Sequence, residues 1–206
     1  MYKRTSAPRT GLKTDLRSRR REQTRTEIVR AAFELFGRDG YETVSMDAIA
    51  AVAGVSRATL FNYFPKKELI LREIAAARSA KLKAIVTEFA ADGETPSFDA
   101  VAAVILKMAA ENARIAAHSK KLLLATLFQQ ASGGLLLVAR QEAIAVLASA
   151  MRRMPERKKP ARLVAETLFA VFIATMLEWL MRENAPPAWL IATLRERLQA
   201  LKEGVA

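Results

Sequence analysis

Between Thr26 and Leu71 the apolar positions of this chain fall into three short helical runs, each opened or closed by a residue with a capping role. Ile28, Ala32, Leu35 and Phe36 share one stripe, and Val29 and Phe33 widen it, so a first helix over about residues 22–38 has a broad face to bury. Gly40 predicts its end, because glycine enters a left-handed C-cap without steric cost. Ser45 then stands at an N-cap, with Val44 before it and Ile49 four places after it, the spacing of a hydrophobic staple. A helix of barely two turns over 46–53 stops at the Ala53-Gly54-Val55 corner, and the same grammar repeats with Val55, Ser56 and Leu60. The second short helix carries Arg57, Ala58, Thr59, Asn62 and Tyr63 on its polar side, and Leu60, Phe61 and Phe64 supply its apolar contacts. Two short helices joined at a glycine corner and braced by a longer one make a helix-turn-helix unit.

The remainder is helical as well. A fourth helix over about 67–89 has Leu71, Ile74, Ala75, Arg78, Leu82, Ile85 and Phe89 along its inner side. Further helical patterns cover 97–113, 115–131, 135–154, 161–184 and 188–202, separated by ADGETP, Gly133-Gly134, the basic loop between Pro155 and Pro160, and Pro186-Pro187. No strand pattern and no fixed-length repeat occurs. The expected fold is all-α: a three-helix head and a helical body, divided as a basic flexible arm (1–21), a helix-turn-helix domain (22–72) and a body (73–206).

Charge changes the picture most at the start of the chain. Of a net +12, the first 25 residues alone hold nine Lys/Arg against two Asp/Glu, so the arm accounts for the whole positive excess of the head. A concentrated positive field beside a helix-turn-helix suits a polyanion. The breaker-free run from Arg17 can extend the first helix backwards, which places Arg19, Arg20, Arg21 and Arg25 close to a duplex.

The absence of cysteine excludes disulfides and thiolate metal sites and fits a cytoplasmic protein. The single histidine, His118, excludes a multi-histidine metal site within one chain and has no acid beside it, so no role is assigned to it. No phosphate-binding glycine loop, HExxH or GxSxG pattern occurs, so neither enzyme activity nor a cofactor is expected. The basic start has no apolar run behind it and does not resemble a signal peptide. The long apolar stretch from Leu163 to Met181 is interrupted by Glu166 and Glu178, and no membrane association is expected.

The head resembles the DNA-binding domain of the TetR family of bacterial transcriptional regulators. The likeness rests on Gly40-Tyr41, Ser45-Met46, Ile49-Ala50, Ala53-Gly54-Val55-Ser56, Thr59-Leu60 and the run from Tyr63 to Leu69. It implies a homodimer on a roughly palindromic double-stranded operator. Ser45, Ser56, Tyr63, Lys66 and Lys67 are expected on phosphates, with Thr59 a further backbone contact. Arg57 and Asn62 are the candidates for base edges, since the arginine fork matches guanine and the asparagine amide pairs with adenine, and Ala58 suits a thymine methyl. Two positions depart from the family. Lys66 stands where a capping Ser or Thr is usual, so Lys66 and Lys67 read together as a phosphate clamp, and Phe61 stands where many members carry a tyrosine.

In the body the resemblance implies a dimer interface on the last two helices, joined as a four-helix bundle. Leu168, Phe169 and Trp179 on the first of them, with Leu190, Leu194, Leu198 and Leu201 on the second, are the candidates. It also implies an effector pocket between the helices after the fourth, whose movement alters the spacing of the heads. Met108, Leu123, Leu127, Phe128, Leu147, Met151, Phe172 and Met176 are its candidate lining and suit an apolar ligand. Glu111, Glu142 and Glu166 are acids within otherwise apolar helices, which makes a cationic lipophile an alternative to a neutral hydrophobic effector. The expected function is a ligand-released repressor. An activator of the same fold, or a constitutive or architectural DNA-binding protein without a ligand, is the alternative.

Overall fold

The computed structural model describes the backbone of residues 10–91, 97–117, 119–132, 135–154 and 159–205, and within these not the side chains of 10–15, 128–139 and 205. His118, Gly133-Gly134, Pro155 and the side chain of Phe128 therefore lie outside the described residues. Among the described residues the order is α1 (Thr10–Asp39), α2 (Met46–Val52), α3 (Arg57–Tyr63), α4 (Lys67–Ala91), α5 (Phe98–Ala116), α6 (Lys120–Ser132), α7 (Leu135–Met151), α8 (Ala161–Met181) and α9 (Pro187–Val205). The chain divides into two compact units within α4, between Ile70 and Leu71.

In the first unit α1 packs on α2 and α2 on α3. Ile28, Ala31, Ala32, Leu35 and Phe36 of α1 are buried in this unit, as are Ile49 of α2, Leu60 of α3 and Phe64 at its C-cap. The two corners are glycine-dependent. Gly40 has φ +89° and Gly54 φ +67°, a region an L side chain occupies only with strain. At Gly54 the Val55 N–H reaches the Ala50 carbonyl at 3.0 Å and the Gly54 N–H reaches that of Ala51 at 3.3 Å. This is the double closure of a Schellman motif, which uses two carbonyls that α2 leaves without an internal partner.

One boundary differs from expectation. Helix α1 already runs from Thr10, well before residue 22, so the part of the expected arm from residue 10 on is helical, and residues 1–9 lie outside the described residues. The described side chains before Thr24 are exposed, from Leu16 to Gln23, so this stretch has no buried stripe to reveal it by periodicity. It is helical because it is rich in helix-forming residues and, after Gly11, has no breaker before Gly37.

In the second unit α8 is central, packed against α5, α7 and α9, while α5 also contacts α6 and α9, and α6 contacts α7. Leu168, Phe172, Met176 and Trp179 fill the space between these helices, with Leu190, Leu194 and Leu198 of α9 behind them. The Trp179 indole N–H donates to the carbonyls of Ala185 (3.0 Å) and Pro186 (3.1 Å), so its one polar group is satisfied inside the core. Lys120 closes the end of α8 by donating from Nζ to the carbonyls of Trp179, Arg182 and Ala185 at 2.6–3.1 Å.

The seven residues expected at a dimer interface are therefore part of the subunit's own core. Leu168, Phe169, Trp179, Leu190, Leu194 and Leu198 are buried within one chain, and Leu201 packs half-buried on the same cluster. What α8 leaves outside is a different row: Leu163, Ala170, Ala174, Leu177 and Met181 are exposed and Thr167 half-exposed. By length and composition α8 could cross a membrane, and half of its apolar window is buried inside the protein.

Candidate functional site

Each short helix of the head starts from a serine whose side chain is already committed. Ser45 Oγ accepts from the Ala48 N–H and Ser56 Oγ from the Thr59 N–H, both at 3.1 Å. These caps fix the first turns of α2 and α3, and the Ser45 hydroxyl keeps its proton for an external acceptor, while the Ser56 and Thr59 hydroxyls share a hydrogen bond that leaves one proton between them for such an acceptor. Ser56 Oγ also lies 2.8 Å from Thr59 Oγ1, which ties the two expected phosphate ligands to each other.

Helix α3 presents Arg57, Ala58 and Asn62 to the outside, Thr59 and Tyr63 half-buried beside them, and Leu60 inward at 0% exposure. The two residues with base-reading chemistry thus share the outer face with the methyl of Ala58. Sequence reasoning missed what holds Arg57. Its Nη1 pairs with Asp47 of α2, and its guanidinium lies 5.2 Å from the centroid of the Phe61 ring. The residue in place of the family's tyrosine therefore serves as a platform for the arginine.

The basic residues divide into two kinds. Arg19, Arg20, Arg21 and Lys66 are exposed. Arg25 lies with its guanidinium 4.5 Å from the Phe64 ring centroid. Lys67 corrects the phosphate-clamp expectation: its Nζ donates to the carbonyls of Tyr41 (2.6 Å), Glu42 (3.1 Å) and Val44 (3.0 Å), with the Tyr41 ring 4.5 Å away. An ammonium has three protons, and here all three are placed on the loop between α1 and α2. Burial, followed by the neighbouring carboxylates of Glu68 and Glu42, pushes the Tyr41 phenol up to about 12, so it stays neutral.

The body holds a cavity of about 200 Å³ bounded by α4, α5, α6, α7 and α8. Of the candidate lining, Met108, Leu127, Glu142, Phe172 and Met176 border it, joined by Phe169, which was expected at a dimer contact. Leu123, Leu147 and Met151 are fully buried core instead. The three acids do not sit unpartnered inside. Glu111 bonds Arg114 at 2.9 Å and faces Lys81 at 3.5 Å, Glu142 pairs with Lys83 at 2.8 Å, and Glu166 pairs with Arg162 at 2.9 Å. The Arg114 guanidinium holds the Glu111 carboxyl below the usual range. The cost that would have called for a cationic ligand is absent.

Arg78 and the rest of the α4 wall, including Leu82, Lys83 and Val86, had no assigned part in a site. The signal was available: Arg78 falls on the inner stripe of α4, where an arginine is unusual. No cluster of His, Cys, Asp and Glu that could hold a metal ion occurs among the described residues.

Comparison with known proteins points the same way as the head's geometry. The family model of the bacterial regulatory proteins, tetR family, matches residues 28–74. The HTH-type transcriptional regulator RutR of Escherichia coli K12 is 37% identical over 81 residues, which cover 37% of this chain and 38% of RutR. TcmR of Streptomyces glaucescens is 38% identical over 82 residues, 39% of this chain and 35% of TcmR. The similarity to these curated relatives thus spans little more than a third of their length. Among solved structures, SmeT, the repressor of the Stenotrophomonas maltophilia multidrug efflux pump SmeDEF, matches with a TM-score of 0.67 over 86% of this chain and 89% of SmeT, at 17% identity. The structure of Thermus thermophilus FadR, a TetR-family repressor in complex with lauroyl-CoA, matches with a TM-score of 0.54 over 86% of this chain and 92% of FadR, at 25% identity.

Proposed function

We propose, since this chain belongs to the TetR family of bacterial regulatory proteins, that it is a cytoplasmic homodimeric repressor released from a roughly two-fold symmetric operator by a small apolar effector. The observation that carries the DNA-binding part is the outer face of α3. Arg57, Ala58 and Asn62 stand exposed together on a seven-residue helix whose start is fixed by Ser56. Helix-turn-helix proteins place such a face against base edges in the major groove while the flanking caps and basic residues meet phosphates. Ser45, Ser56, Thr59, Tyr63 and Lys66 are the phosphate contacts in this reading, with Arg19, Arg20 and Arg21 of α1 adding charge near the backbone. Lys67 acts indirectly, by holding the loop before α2.

The effector part is supported by the apolar cavity in the body; among structural neighbours, FadR is described as a repressor in complex with lauroyl-CoA, a far larger ligand than this cavity of about 200 Å³ holds as it stands. Release then requires that the effector bind the non-binding conformation more tightly. A full switch from 99:1 to 1:99 needs a differential of about 5.5 kcal/mol.

Selection from a pool of random duplexes, followed by footprinting, tests the DNA reading. A two-fold symmetric consensus with half-sites about one helical turn apart is expected. Enrichment of no consensus, with binding that depends only on salt, would favour a non-specific architectural role instead.

A further inference from the structure

The inner row of α1 continues past the point where the core of the head ends. Leu35, Ala31 and Ile28 are buried, and α1 packs on α2, so the side they mark is the one turned to the rest of the head. Followed toward the start of the helix at intervals of three and four residues, the same row runs through Thr24 to Arg21, Arg20 and Arg17. Thr24 is half-buried, with its hydroxyl donating to the Arg20 carbonyl at 3.0 Å, and from Arg21 back the row is exposed. One turn on from Arg21, the Arg25 guanidinium lies 4.5 Å from the ring centroid of Phe64, the C-cap of α3, so the end of α3 lies beside this part of α1.

The opposite side of the same stretch has a different composition. Arg19 falls there with Gln23, Thr26 and Arg30, all exposed, and Glu22 stands beside them. The inner row receives no counter-charge from the chain: no ion pair or side-chain hydrogen bond of Arg17, Arg20 or Arg21 occurs among the described residues. Glu27, on the flank of the row, accepts from Gln23 at 3.1 Å. Like charges three and four residues apart repel, so this row weakens the helix that carries it unless an anion is laid against it.

We propose that Arg17, Arg20 and Arg21 form a second DNA-contacting face, a helical row that holds the sugar-phosphate backbone beside the bases read by α3. This rests on the DNA-binding reading above and adds a contact outside the helix-turn-helix, since the row lies before residue 28, where the match to the family model begins. The guanidinium fork suits phosphate oxygens, which it can meet with two parallel N–H bonds. The length suits more than one of them. A helix rises about 1.5 Å per residue, so the row reaches about 16 Å beyond Ile28, while phosphates of one strand follow each other about every 3.4 Å along the duplex. Because the arginines already stand on a formed helix, a duplex that meets them does not have to order the segment first. Arg19, on the far side, adds only to the overall positive field.

Two double variants that remove equal charge decide it: Arg17→Gln with Arg21→Gln on the inner row, and Arg19→Gln with Arg30→Gln on the outer one. Glutamine keeps the helix propensity of these exposed positions, and circular dichroism verifies it. Full-length protein is titrated by fluorescence anisotropy onto a duplex carrying the selected consensus and onto a scrambled duplex of the same length, from about 50 to about 200 mM salt. The inner pair should make the plot of log affinity against log salt shallower by about two units for each bound head, equally on both duplexes, and the outer pair should change it little. Arg17→Lys with Arg21→Lys should keep the wild-type slope, because an ammonium still neutralises a phosphate. If the inner and outer pairs alter the slope alike, the arginines act through net charge alone and the face falls while the DNA-binding reading stands. An inner pair with the wild-type slope, in a protein that still binds its consensus, has the same consequence. If the wild type binds neither duplex in a salt-dependent way, the DNA-binding reading fails and the row fails with it.

Discussion

Two residues that look alike in sequence, Lys66 and Lys67, have different work, and the difference is a matter of proton count. Lys67 places three N–H bonds on the Tyr41, Glu42 and Val44 carbonyls and lies over the Tyr41 ring. Hydrogen bonds from a charged donor contribute about 1.5–3 kcal/mol each at most, and the loop carbonyls have alternative partners in water. Lys67→Met should therefore lower stability in urea by about 1.5–3 kcal/mol in total, with operator affinity reduced only as far as the head unfolds. An unchanged midpoint combined with a sequence-independent loss of DNA affinity would restore the phosphate clamp. Arg57 makes the opposite case. Its partners, Asp47 and the Phe61 ring, are at the surface, where an ion pair contributes about 0–1 kcal/mol. Asp47→Asn should leave stability nearly unchanged but tighten DNA binding, because the guanidinium is released and a negative charge beside the phosphates is removed. Arg57→Ala should cost about 1–3 kcal/mol on the operator and relax preference at one base pair. Titrations on operator and scrambled duplexes separate the two, and a loss for Arg57→Ala that is equal on both sequences would remove it from base recognition.

At the scale of elements, what could be read from the chain depended on whether a segment's own residues state its boundary. Gly40, Ser45, Gly54 and Ser56 are such statements, and each occupies the cap assigned to it. The start of α1 carries no such mark, because a solvent-exposed helix has no apolar stripe. The inner and outer sides of α8 could not be separated either: apolar residues occur most of the way round it, so the pattern gives burial without direction. The cavity was half legible. Met108, Phe172 and Met176 announce an apolar chamber, but the part of α4 that walls it, from Arg78 to Thr87, emerges only when the helices are brought together. One polar contact does reveal how α8 and α9 are set. Glu178 accepts from Arg197 of α9 at 2.7 Å and from Arg182 of its own chain end at 2.9 Å, and Arg197 also donates to Thr175. These bonds, chiefly that of Arg197, hold the Glu178 carboxyl below its ordinary value. A depressed carboxyl stabilises the fold at pH above the ordinary glutamate range, and that contribution is lost as the pH falls through the folded-state value. Glu178→Gln should therefore melt below the wild type at neutral pH, with the gap closing in acid below about pH 4.5. Melting curves from pH 7 down to 3 check it. A gap that persists unchanged at the acid end would mean that the loss is one of packing and not of charge.

For the whole molecule, the decisive surface is the one α8 does not use internally. Leu163, Thr167, Ala170, Ala174, Leu177 and Met181 follow one another at intervals of four and three residues, so they form a single straight seam along the helix. Leu163 is 53%, Leu177 42% and Met181 75% exposed, a row of large apolar side chains that a monomer has no reason to display. The small Ala170 and Ala174 at its middle let a second helix approach closely. A seam of this kind is self-complementary under two-fold symmetry, and two-fold symmetry is also what a palindromic operator demands of the heads. The buried leucines of α9 answer to a different purpose, which yields a discriminating pair of substitutions. Leu194→Glu places a charge at a position with 0% exposure and should unfold the body. Ala174→Glu combined with Met181→Glu touches only the exposed seam. It should leave helical content and the melting of the monomer intact while shifting the protein from dimer to monomer in sedimentation, and operator affinity should fall steeply because one head alone makes half the contacts. If the double variant still sediments as a dimer, the subunits meet elsewhere and the seam must be covered in another way. If it becomes monomeric yet binds the operator as before, the DNA site is read by a single head and the two-fold symmetry of the assembly has no part in recognition.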